Sequence, residues 1–169
     1  MIEHAEQTVF GENTEPETEV EPARYHIQLS QFQDQGRSFS FMARQRMCKQ
    51  SLAKLGEEVE QRIPVDVPKT KKVRFETRTS RYGDDPIAVI QECCSQTSNY
   101  RAPQLPIKEV LFRILLAGGN QPATAEELCN GVLEWVGFSD GRVITPENIQ
   151  RLLDRDDYYG FARVADDNA

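Results

Sequence analysis

The chain is predicted to be mainly α, of the α+β kind, with helices and an extended basic segment leading into a C-terminal three-helix module that ends in a short β-strand. Three observations predict this. Apolar residues recur at helical spacing in three successive segments after residue 106, and Gly118-Gly119 and Gly137 stop the first two. The second and third segments open on cap residues, Thr124-Ala125-Glu126-Glu127 and Thr145-Pro146-Glu147. The aromatic run Tyr158-Tyr159-Gly160-Phe161-Ala162-Arg163-Val164 then reads as a strand.

From the N-terminus, residues 1–23 hold seven Glu and no Lys or Arg. They are poor in large apolar side chains, so they bury too little surface to offset chain entropy and are expected to be a disordered acidic tail. Such a tail solubilises, or competes with an anionic ligand for a basic surface. Residues 24–62 are read as a short strand plus a helical segment. Tyr25-His26-Ile27-Gln28-Leu29 alternates as a strand does, Ser30-Gln31-Phe32-Gln33 has the form of a capping box, and Ser38 can cap a longer helix reaching Leu55.

Residues 63–83 form the basic segment. IPVDVPKTKKVRFETRTSRY carries two prolines and no helical period, which predicts an extended loop or an edge ribbon. Residues 84–105 are a helix and linker: Asp85-Pro86 starts the helix, Ile87, Ile90 and Cys94 continue it to about Thr97, and the prolines after Tyr100 end it. Residues 106–165 are the C-terminal module, with Ile107, Val110, Leu111, Ile114 and Leu115, then Leu128, Cys129, Val132 and Val136, then Ile149, Leu152 and Leu153 facing inward. A tail, 166–169, follows.

Charge narrows the partners. The net charge of −7 conceals an acidic tail at −7, a basic middle over 24–82 at +7, and an acidic remainder at −7. Lys69, Lys71, Lys72, Arg74, Arg78 and Arg81 crowd together beside Phe75 and Tyr82, a combination that suits phosphate neutralisation and base stacking. Solvation of a basic connector, or docking on the acidic parts of the same chain, is the reading that the acidity of the whole protein favours. No run of about 18 apolar residues could span a membrane and the N-terminus lacks the pattern of a signal peptide, so a cytoplasmic protein without a membrane partner is expected.

Catalytic and metal signatures are not expected. Cys48, Cys93, Cys94 and Cys129 do not have the spacing of a disulfide framework. Cys48-Lys49-Gln50-Ser51 has zinc-ligand spacing but places serine second, and Cys93-Cys94 could complete only an unusual site. In one helix, neighbouring side chains point about 100° apart, which separates Cys93 from Cys94. The histidines are His4 and His26, so no base stands beside a thiol in the sequence. Gly118-Gly119-Asn120 lacks the Lys-Ser/Thr of a phosphate loop. Neither a cofactor nor a metal is expected, and the chain is read as non-enzymatic. A thiol-dependent enzyme is the remaining catalytic alternative.

Ile114-Leu115-Leu116, Pro122-Ala123-Thr124-Ala125-Glu126-Glu127-Leu128, Thr145-Pro146-Glu147 and Phe161-Ala162-Arg163-Val164 together resemble the winged helix-turn-helix of the RNA polymerase delta subunit and related HARE-type domains. The resemblance covers about the last third of the chain and lacks the glycine-rich second wing strand. It implies a three-helix module with a short β wing. The third helix, with Glu147, Asp154 and Asp156-Asp157, would repel phosphate, so the resemblance implies docking on a protein, with the transcription machinery or another nucleoprotein assembly as the setting. Trp135, Phe138, Tyr158 and Tyr159 are the expected protein-docking anchors. The alternative is a nucleic-acid binder working through residues 69–81, with Arg44, Arg46 and Lys49 as further phosphate contacts.

Overall fold

The computed structural model describes residues 21–68, 72–137 and 143–165. The acidic tail at 1–20, Lys69, Lys71, Phe138 and the tail at 166–169 lie outside the described residues. Strand β1 (Arg24–Ile27) turns Tyr25 and Ile27 inward and Arg24 and His26 outward, the period-two alternation that the sequence predicts. Helix α1 (Leu29–Asp34) begins earlier than the expected capping box. The Gln28 N–H is already held by Gly160 O at 2.8 Å, so Gln28 becomes the N-cap and Ser30 falls inside the first turn.

Ser38 does cap the next helix, accepting from the Phe41 N–H, but the expected single helix to Leu55 is two: α2 (Phe39–Arg44) and α3 (Lys49–Ala53). The break between them lays Arg46 against Glu109, with Nε and Nη2 donating to its two carboxylate oxygens at 3.0 and 2.7 Å. Beyond Gly56 the chain forms β2 (Glu58–Asp66) and β3 (Val73–Arg81), an antiparallel ribbon that realises the edge-ribbon form of the basic segment. β2 crosses the expected boundary between 62 and 63.

Asp85 caps α4 (Pro86–Glu92) through the Ile87 and Ala88 N–H groups, but the helix stops short of Thr97. Two 3₁₀ turns, Cys94–Gln96 and Ser98–Arg101, replace its last part, so Cys93 and Cys94 lie at a junction rather than in one regular helix. Helix α5 (Ile107–Ala117) is the centre of the core, with Val110, Leu111, Phe112 and Leu116 fully buried. It packs against α4, α6 (Ala125–Val136) and β1. The capping box of α6 forms in both directions: Glu127 N–H donates to Thr124 Oγ1 at 3.2 Å, and Thr124 N–H donates to Glu127 Oε2 at 2.8 Å. Helix α7 (Pro146–Asp154) is capped by Thr145, and short strands β4 (Ala123–Thr124) and β5 (Phe161–Arg163) complete the elements.

These elements correct the expected architecture. The separate C-terminal three-helix winged-helix arrangement is not what forms; helices are interspersed with strands in an α+β structure of seven α-helices and two small sheets among the described residues. The three-stranded sheet has the order β4-β1-β5, both pairings antiparallel, so its middle strand comes from residues 24–27. The strand at 161–163 pairs, among the described residues, with β1, whose inward Tyr25 and Ile27 supply the apolar face. Asn120 extends the β4 side of the sheet. Its Oδ1 accepts from the Ile27 N–H at 2.7 Å and its Nδ2 donates to Ile27 O at 2.9 Å.

Two carboxylates inside the fold are matched, while Arg44 Nε is buried without a hydrogen-bond partner among the described residues. Glu109 lies between Arg46 and Arg113, 2.7 Å from each. Asp156 has a fully buried side chain whose Oδ2 accepts from the Tyr159 and Phe161 N–H groups at 2.8 and 3.2 Å, which shapes the turn into β5. The Asp156/Asp157 pair is thus organised around a loop rather than simply a solvated helix end.

Candidate functional site

The β2–β3 ribbon is paired along nine positions, from Glu58 opposite Arg81 to Asp66 opposite Val73, and among the described residues with no other strand. Partners across an antiparallel pair share a face, and the face alternates with each residue. One face therefore carries Arg74 and Arg78 with Gln61, Glu76, Val59, Ile63 and Val65. The other carries Pro64, Val73 and Phe75, bordered by Glu58, Glu60, Asp66, Arg62 and Arg81. Val73 and Phe75 are 55% and 63% exposed, a high value for residues that favour burial.

The predicted nucleic-acid contacts are divided by this pleat. Arg74 and Arg78 lie together, Arg81 faces the opposite way opposite Glu58, and exposed Lys72 leads into β3. Phe75 is on the other face from Arg74 and Arg78, so the expected alternation of cations and stacking ring does not share one surface. Tyr82 is half-buried and donates its hydroxyl to Ser51 Oγ at 3.2 Å. Of the additional cations, Arg46 is taken by Glu109, and Arg44 donates to Gly83 O. Lys49 is exposed at the start of α3.

The predicted docking aromatics are also separated. Trp135 donates Nε1–H to Ala102 O at 3.3 Å and rests on Tyr100, with their ring centroids 5.8 Å apart. Tyr159 packs between Phe112 and Phe161, and burial, followed by the charge of Glu109, pushes its phenol up to about 12. Tyr158 alone of these three described anchors is exposed, with the Arg37 guanidinium 4.2 Å above its ring.

A cluster that the sequence separates lies at the root of the ribbon. Cys48 is the N-cap of α3, while Cys93 and Cys94 follow α4. Cys48 Sγ is 3.9 Å from Cys93 Sγ and 3.6 Å from Cys94 Sγ, and all three sulfurs lie within 4.8 Å of one another. Ser51 Oγ is 3.3 Å from both Cys48 Sγ and Cys94 Sγ. Its hydroxyl holds Cys48 at about 7, below the ordinary thiol value, despite partial burial; burial pushes the Cys94 thiol up. The Cys48 N–H donates to Cys94 Sγ at 3.2 Å. The Cys-x-x-Ser spacing was the available signal, since Ser51 occupies the centre of this group, but its meeting with Cys93-Cys94 depends on packing between α3 and the end of α4.

No family model matches the chain, and no curated protein or solved structure does either. Among the described residues no helix is long and apolar enough to cross a membrane.

Proposed function

We propose that the protein is a non-enzymatic interaction module that docks a protein partner through the β2–β3 ribbon. The observation that carries this reading is the exposed Val73–Phe75–Pro64 face on a ribbon that, among the described residues, pairs only with itself. An aromatic and a branched side chain supply apolar anchors, and the outer strand edges offer backbone donors and acceptors to an extended segment. Glu58, Glu60 and Asp66 border the same face together with Arg62 and Arg81, so the rim is of mixed charge and suits a partner that rings its apolar anchor with charges of both signs. The test is affinity capture from the native host with wild type and with Val73→Ala/Phe75→Ala: recovery of a protein by wild type alone supports the reading, and recovery of the same proteins by both refutes it.

A second reading, nucleic-acid binding, has its own support in the shared face of Arg74 and Arg78, with exposed Lys72 beside them. Binding to duplex or single-stranded nucleic acid that weakens steeply with salt and is lost in Lys72→Ala/Arg74→Ala/Arg78→Ala would favour it. Absence of binding at low salt would eliminate it.

A further inference from the structure

We propose that Cys48, Cys93 and Cys94 bind a thiophilic divalent cation of the zinc class, with the fourth coordination position beside Ser51. This site is independent of the docking role proposed for the ribbon. Three sulfur donors in one cluster are the chemistry that selects such an ion over magnesium or calcium.

The spacing fits without rearrangement of the backbone. A tetrahedral ion with metal–sulfur bonds of about 2.3 Å holds its sulfurs about 3.8 Å apart. The two sulfur separations from Cys48 are 3.6 and 3.9 Å, and the third pair lies within 4.8 Å. A disulfide needs about 2.05 Å between sulfurs, so either pair would have to close by well over an ångström. The Cys93–Cys94 pair would have to settle near the same spacing on metal binding, a change confined to the side chain of half-buried Cys93.

Hydrogen-bond donors already stand beside the sulfurs. The Cys48 N–H already donates to Cys94 Sγ, and such a bond strengthens when the sulfur becomes anionic. Ser51 has one proton and two acceptor positions, and Tyr82 donates into it. Its own proton therefore remains available to a thiolate, or its oxygen can turn to the metal. A cleft of about 160 Å³, lined in part by Cys48, Thr97, Asn99 and Tyr100, adjoins the cluster on the Cys48 side.

Placement gives the ion a structural consequence. Cys48 precedes α3, Cys93 and Cys94 follow α4, and the ribbon lies between them in sequence. The Gly56 N–H donates to Tyr82 O at 3.0 Å and the Tyr82 N–H to Glu57 O at 2.7 Å at the ribbon root. Metal binding releases the thiol protons to solvent and ties the two sides of this root together.

The test uses the full chain, stripped of metal and kept reduced with a phosphine, and cobalt(II) followed by zinc(II). The expected result is one equivalent of cobalt with thiolate-to-metal charge-transfer absorption, displaced by zinc. Cys48→Ser and Cys93→Ser should weaken binding by more than the roughly 100-fold upper range for a lost outer-shell partner. Cys129→Ala, on α6 outside the cluster, should retain the absorption, and circular dichroism should show each variant folded. For wild type, stoichiometric zinc should slow alkylation of Cys48 and Cys93. Absence of charge-transfer absorption in the reduced protein, equal absorption in the Cys48 and Cys93 variants, or alkylation unaffected by zinc would each overturn the proposal.

Discussion

Asn120→Ala is expected to destabilise the fold by about 3–4 kcal/mol, because one side chain stands in for a neighbouring strand. The perturbation removes the bonds to the N–H and C=O of Ile27, at 2.7 and 2.9 Å, and Ile27 is a residue only 1% exposed. Two lost hydrogen bonds account for about 2–3 kcal/mol once the partly buried backbone groups go unmatched. Asn120 also has φ of +57°, a left-handed conformation in which alanine costs about 1 kcal/mol more than asparagine or glycine. Asn120→Gly therefore removes the bonds without that strain and should be about 1 kcal/mol milder. Thermal unfolding followed by circular dichroism should show a fall of roughly 6–16 °C for the alanine variant, and urea unfolding should give its free energy directly. A loss below about 1 kcal/mol would refute the view that Asn120 anchors β1 in the sheet.

Glu109→Ala should cost about 3–5 kcal/mol in urea unfolding, since it leaves the guanidinium groups of Arg46 and Arg113 together without their shared carboxylate. The same site gives a pH dependence. Burial alone would raise the Glu109 pKa, but hydrogen bonds from Arg46 and Arg113 outweigh it and hold the folded value below the ordinary 4.5. Its contribution is therefore complete above the unfolded value and is lost as pH falls through the lower folded value; Glu109→Gln should flatten that part of the acid-unfolding curve. Gly160→Ala should cost about 2–4 kcal/mol by calorimetry, because the residue has φ of +77° and a Cβ would lie 2.6 Å from the ring of buried Phe32. Val73→Ala/Phe75→Ala, by contrast, should change folding stability by less than about 1 kcal/mol while weakening partner binding about 10-fold or more in a direct titration.

Local signals in the sequence were readable where their causes were local. The Thr124/Glu127 box, the Thr145 cap and the Asp85-Pro86 start each lie within one helical turn, and all three form as expected. The inward alternation of Tyr25 and Ile27 was equally visible. Its pairing with Phe161 and Ala123 was not, because nothing in a strand's own pattern names a partner far along the chain. That missing partner is why residues 106–165 looked self-contained. The basic segment shows the same limit: its extended form was legible, but the register that sends Arg74 and Phe75 to opposite faces became visible only once β2 was paired with β3. Likewise the Cys48–Ser51 spacing was apparent, whereas its meeting with Cys93 and Cys94 follows from the break after α4.

The docking role of the β2–β3 ribbon is tested most directly by photocrosslinking in the native host, with a photoreactive phenylalanine analogue replacing Phe75 and, separately, Tyr158. The expected result is a discrete protein adduct from position 75, reduced when Val73→Ala is added and absent from position 158. No protein adduct at position 75, or adducts with nucleic acid alone, would contradict the proposed function.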